Sequence, residues 1–153
     1  KPHTMKCTVR WVAASGMTFL AETGSGHLAL MDGAPEGGGR NLASRPMELI
    51  LAGAGGCTAY DVVLILKRGR HDVQGCEVDL IAERAADDPK VFTRIEYRFR
   101  ITGRKLPHAA VERAVQLSHD KYCSATAMLT HTAKIETSFE IVDSDQAAGT
   151  PAP

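Results

Sequence analysis

A chain of 153 residues fits one domain, and at that size roughly 68–70% of the unfolded surface can be buried, so neither a disulfide scaffold nor a structural metal is needed for folding. The 18 Lys+Arg balance the 18 Asp+Glu; this zero net charge argues against a large nonspecific nucleic-acid role and is compatible with self-association. No apolar run is read as reaching the ~20 residues of a membrane span and no secretory signal follows the basic start, so the four cysteines are expected in a reducing, cytoplasmic compartment.

Lys1–Thr4 are set aside as a candidate cloning remnant, and one domain is expected over residues 5–142. Met5–Trp11, Met17–Glu22 and His27–Met31 read as strands of an opening meander, with Gly24-Ser25-Gly26 as a turn. Asp32–Asn41 is a glycine-rich loop without the lysine–serine ending of a phosphate-binding loop. Ser44-Arg45-Pro46 starts a helix, with Ser44 as cap and proline in the first turn, running to about Lys67. Its first half is apolar or small nearly all round, which predicts a buried helix. Gly53, Gly55 and Gly56 each cost about 1 kcal/mol of helix stability, which implies a close backbone approach, such as a crossing helix. Gly69 after Lys67-Arg68 marks the end.

Cys76–Glu83 and Thr93–Thr102 alternate in polarity and read as half-buried antiparallel strands flanking an Asp87–Lys90 hairpin loop. Ile95, Tyr97, Phe99 and Ile101 face one way; Arg94, Glu96, Arg98 and Arg100 face the other, as a solvated stripe. Pro107 opens a second helix ending near His119, Cys123 begins a short third helix to Leu129, and Ala133–Val142 is a last strand. Residues 143–153 read as a flexible tail. Strands and helices in this order predict an α+β fold.

Cys57 lies on the long helix among small residues, and Cys123 lies at a helix start, so both are candidates for thiol chemistry. Cys123 has helix amides ahead of it and Lys121 nearby, both of which lower a thiol pKa. Cys57 needs a cation from elsewhere: Arg40 and Arg45 are the local donors, and Glu48, nine positions before Cys57 and read as facing a similar side, is a carboxylate that holds an arginine in place. Cys7 and Cys76 read as small hydrophobes. Asp61 is expected to pair with a basic side chain. His71, His119 and His131, together with the cysteines, are candidates for a zinc site, but no CxxC or HxxxH pair supports it. His119 or His131 activating Cys57 or Cys123 is the arrangement of a cysteine hydrolase, but nothing in the sequence fixes that geometry.

Arg45-Pro46-Met47-Glu48-Leu49, Gly55-Gly56-Cys57 and Lys121-Tyr122-Cys123-Ser124 resemble the OsmC/Ohr family. Residues 61–70 and Thr102-Gly103-Arg104 resemble its YhfA-like branch in particular. The resemblance implies an OsmC-like fold, in which strongly curved antiparallel sheets wrap around long central helices in an intertwined homodimer. It also implies a hydroperoxide reductase without cofactor or metal. Cys57 matches the attacking position and Cys123 the resolving one, and they close a disulfide that an external dithiol reduces, a lipoylated protein in the family. Peroxidase members carry an arginine in the turn between the first strands, held by a glutamate before the first cysteine. Here the turn is Ala13–Met17, and Met47 takes the glutamate's place with Glu48 displaced by one. The alternative is an apolar small-molecule binding protein that uses the dimer pocket.

Overall fold

The computed structural model describes residues 2–147. The chain forms two compact units, residues 1–51 and 52–153, taken in turn.

In the first unit, β1 (Cys7–Val12), β2 (Thr18–Thr23) and β3 (Leu28–Met31) form the expected antiparallel meander. The register sets Trp11 against Phe19 and Phe19 against Met31, so one face carries an apolar row. The Trp11 indole N–H donates to the carbonyl of Gly16 at 2.6 Å. Asp32 organises the glycine-rich loop: its carboxylate accepts from the backbone N–H of Gly33 (2.7 Å), Leu42 (3.1 Å) and Arg40 (3.4 Å). Those bonds, with the Gly33 and Leu42 amides foremost, hold its pKa below the usual carboxylate range.

The long helix α1 spans Pro46–Arg68, with its first six residues in this unit. Its cap is not Ser44. Ser44 bridges to Met31 and accepts from the Asp32 N–H, while Glu48 reaches back to accept from the Arg45 N–H at 2.9 Å, one half of a capping box.

The second unit holds the rest of α1, β4 (Asp72–Arg84), β5 (Phe92–Arg104), α2 (His108–Leu117), α3 (Ser124–Leu129), β6 (Lys134–Asp143) and a short α4 (Ser144–Ala147). β4 and β5 pair antiparallel, but β6 pairs with β5 in parallel, which corrects the expectation of wholly antiparallel sheets. The β5–β6 connection carries α2 and α3, and a helical crossover returns the chain in the same direction. As the alternation predicts, Ile95, Tyr97, Phe99 and Ile101 are buried, with Val62, Leu66, Val111 and Ala114 from the helices. The arginine stripe is exposed and ion-paired: Arg94 with Glu136, Arg98 with Glu96, and Arg100 with Glu140 and Glu77. The tail expectation fails for residues 143–147, where Asp143 pairs with Gly103 and Asp145 meets Arg104 at 3.2 Å. Residues 148–153 lie outside the described residues.

α1 departs from expectation in its burial, its glycine contacts and its end. With 23 residues it is long and apolar enough to cross a membrane by length and composition alone, although Glu48 and Asp61 interrupt its apolar run. It is not buried all round: Ala54, Gly55, Thr58, Val62 and Leu66 are covered, whereas Tyr60 is 71% exposed. The close approach at its glycines is made by a strand, not a helix. A Cβ on Gly55 would lie 2.7 Å from Leu80 Cδ1 of β4, while Gly53 and Gly56 face open space. The helix also ends one residue later than expected. Arg70, not Gly69, takes the left-handed conformation (φ 61°), and the His71 N–H closes on the Leu66 carbonyl.

Candidate active site

Cys57 sits on α1, one residue before the buried Thr58. Cys123 is the N-cap of α3, which the sequence predicts, and both thiols are free. The segment that delivers Cys123 is a π-helical turn, Ser118–Tyr122, closed by the Cys123 N–H on the Ser118 carbonyl at 2.8 Å. Ser118 pins this turn to α1. Its hydroxyl donates to Asp61 Oδ2 at 2.9 Å and stands 2.7 Å from the Thr58 hydroxyl, which lies beside Cys57 in the chain. Asp61 therefore pairs with a buried serine rather than with the cation expected from sequence, because α2 ends over this turn of α1.

The two cysteines are neighbours. Burial pushes the Cys123 thiol above its ordinary value, Thr126 pulls it back through a side-chain and a backbone hydrogen bond, and Cys57 pushes it up again as hydrogen-bond partner and as charge. Burial likewise raises the Tyr97 phenol; its bond to Thr126 lowers it, and the charges of Cys123 and Cys57 add to the rise. The expectation that α3 amides and Lys121 depress Cys123 is therefore corrected, since desolvation at 2% exposure outweighs the amides. Lys121 instead lies over the Tyr122 ring at 5.2 Å.

Thr126 is the residue that sequence reasoning passes over. Its hydroxyl donates to Cys123 Sγ at 3.1 Å, its backbone N–H donates at 3.4 Å, and the Tyr97 hydroxyl meets it at 3.0 Å. The signal was present: an N-cap side chain accepts from the N–H three residues on, and Thr126 stands three residues after Cys123. Tyr97 is the one hydroxyl on the inward row Ile95, Tyr97, Phe99, Ile101.

Of the supporting residues expected for Cys57, Glu48 has another partner. The Glu48 carboxylate caps α1, and among the described residues neither Arg40 nor Arg45 makes an ion pair with it. At about 100° and 1.5 Å per residue, nine positions put Glu48 half a turn from Cys57 and roughly 13 Å along the axis, not on a similar side. His119 bonds Asp120 at 2.8 Å rather than a thiol, and no group of three metal-binding side chains occurs among the described residues. Along another face of α1 runs an open groove of about 450 Å³, lined by Gly56, Ala59, Tyr60, Val63, Leu64, Lys67 and Cys76 but not by Cys57.

The family model for OsmC-like protein matches residues 37–138. The chain is 49% identical over 138 residues to Protein YhfA of Escherichia coli K12, covering 90% of this chain and 98% of the relative. Among solved structures, a hypothetical protein from Aquifex aeolicus is 29% identical with a TM-score of 0.79, covering 93% of this chain and 98% of its own. An organic hydroperoxide resistance protein, OsmC, from Legionella pneumophila shares the fold at 18% identity and a TM-score of 0.68, covering 90% and 97%. Matched over its two cysteine segments and most of its length, this chain belongs to the OsmC/Ohr family of OsmC-like proteins, which includes redox and hydroperoxide-resistance members.

Proposed function

We propose that this chain is a cytoplasmic thiol peroxidase that reduces organic hydroperoxides or hydrogen peroxide in oxidative-stress defence, without cofactor or metal. The observation that carries the reading is the unequal pair of neighbouring thiols, a half-buried Cys57 and a buried Cys123 held above its ordinary pKa. Cys123, protonated at neutral pH and shielded from solvent, suits the resolving role and leaves Cys57 as the attacker. The Cys57 thiolate attacks a peroxide oxygen; an S–O bond forms, the O–O bond breaks, and the alkoxide leaves with a proton as alcohol. Cys123 gives up its proton and attacks the Cys57 sulfur; the S–S bond forms and water leaves. An external dithiol then reduces the disulfide in two exchanges and is itself oxidised to a disulfide. Hydroperoxide resistance is the named property of the Legionella fold neighbour and comes to this chain only within this proposal.

One domain over residues 5–142 and a homodimer are part of the reading. The exposed Ile50 and Tyr60 on α1, with Gly53 and Gly56 open, support a surface that a second copy covers. Arg40 and Arg45 remain the cations proposed to support the Cys57 thiolate. Treatment with an organic hydroperoxide followed by disulfide mapping is expected to give a Cys57–Cys123 bond, and Cys57→Ser is expected to lose at least a hundredfold in turnover. Undiminished turnover in Cys57→Ser would overturn the assignment. The groove along α1, lined mostly by apolar side chains, favours a second reading, an apolar ligand-binding protein. In that case native mass spectrometry finds a co-purified ligand that Cys57→Ser, Cys123→Ser retains, and peroxide turnover is absent.

A further inference from the structure

We infer that Thr126 and Tyr97 form a hydroxyl relay that readies Cys123 for its attack on oxidised Cys57, with Thr126 bonded to the reacting sulfur and Tyr97 positioning Thr126. The inference rests on Cys123 being the resolving thiol.

Thr126 has no exposed surface and Tyr97 only 1%, so each hydroxyl carries a desolvation cost that Val and Phe of similar shape avoid. Both hydroxyls are spent in series. Thr126 Oγ1 donates to Cys123 Sγ at 3.1 Å, and with that hydrogen committed it accepts from the Tyr97 O–H at 3.0 Å. A neutral thiol is a weak acceptor, whereas a thiolate receives a charge-assisted bond about twice as strong as a neutral one. The two Thr126 bonds therefore strengthen when Cys123 loses its proton, so they favour the thiolate, the form that attacks; as the S–S bond forms, that charge passes to the leaving oxygen, which departs with the proton as water.

The titratable group acting on Cys123 is Cys57 from α1, and both thiols in turn act on Tyr97 of β5. Burial is the largest cause holding the thiol up, the two Thr126 bonds oppose it, and Cys57 adds to the rise. Oxidation of Cys57 to the neutral sulfenic acid removes a negative charge from the site, which works in the same direction as the relay.

Titration of the thiolate ultraviolet absorbance in a Cys7→Ser, Cys57→Ser, Cys76→Ser protein reads Cys123 alone. Thr126→Val is expected to raise its midpoint by about one pH unit, a tenfold loss of thiolate at fixed pH. Tyr97→Phe should raise it by less, and Thr126→Ser should restore it. In the otherwise native protein after a peroxide pulse, Cys57 sulfenic acid should form at the native rate, with disulfide closure about tenfold slower in Thr126→Val. Unchanged titration in folded Thr126→Val and Tyr97→Phe overturns the relay. If Thr126→Val fails to fold, Tyr97→Phe with Thr126→Ser decides: a native midpoint in Tyr97→Phe overturns the relay, and a raised one supports it. Failure of the native protein to form any oxidised Cys57 overturns the peroxidase reading instead, and the titration still decides the relay.

Discussion

Ser118 is fully buried, and its hydroxyl is shared between Thr58 and Asp61 of α1. It also anchors the turn that carries Cys123, through its carbonyl. Ser118→Ala removes the donor from a half-buried carboxylate and leaves the buried Thr58 hydroxyl without its partner, so a loss of about 1 kcal/mol is expected. A lower urea midpoint at unchanged m checks it. The same variant should close the Cys57–Cys123 disulfide more slowly while Cys57 alkylation stays native. Closure at the native rate would mean that the turn is held by its backbone alone. The residue scale is where sequence reading is weakest. Cys57 and Cys123 stand out by type and neighbours, and Thr126 by its spacing from the cap, but Ser118 is an ordinary residue until the fold brings sixty-residue separations, such as Thr58 to Ser118, within hydrogen-bond reach.

The glycines of α1 divide by what they face. Gly55 alone is crowded, by Leu80 of β4, so Gly55→Val is expected to destabilise by about 1–3 kcal/mol through overpacking. Leu80→Ala in the same chain should recover part of that loss, and a double-mutant cycle measures the coupling. Additive effects would show that Leu80 can turn aside without cost. At this scale the pattern was legible. Period-two alternation predicted β4 and β5 and the buried side of each, because strand geometry ties polarity directly to face. The parallel pairing of β6 was not legible, since alternation carries no direction. Nor was the one-sided burial of α1: helix composition states how much apolar surface exists, not what covers it.

Two predictions belong to the whole molecule. The proposed homodimer is checked by analytical ultracentrifugation at micromolar protein; twice the 16.4 kDa chain mass is expected, and a monomer would sink the proposal. The second is pH dependence. Burial raises the Cys123 and Cys76 thiols in the folded state, so above the ordinary thiol pKa the unfolded chain releases protons that the native state keeps. Stability is thus full below that value and falls as pH rises through the folded pKa. Replacing Cys76 with Ala should flatten this alkaline slope in thermal melts of reduced protein. On the acid side the sign reverses. Asp32, held low by the Gly33 and Leu42 amides, contributes stability above its unfolded pKa that is lost as pH falls through the folded one. Asp32→Asn should reduce that acid dependence.

By itself the sequence determined the α+β class, the order of elements, the family and the two cysteines, all of which follow from local pattern and side-chain chemistry. Only the tertiary structure decided that Cys57 and Cys123 are neighbours, that Cys123 is raised rather than lowered, and that Glu48 caps a helix. The reason is desolvation and reach: a thiol's pKa depends on what surrounds it in space, and a carboxylate's role on which N–H or cation lies within about 3 Å.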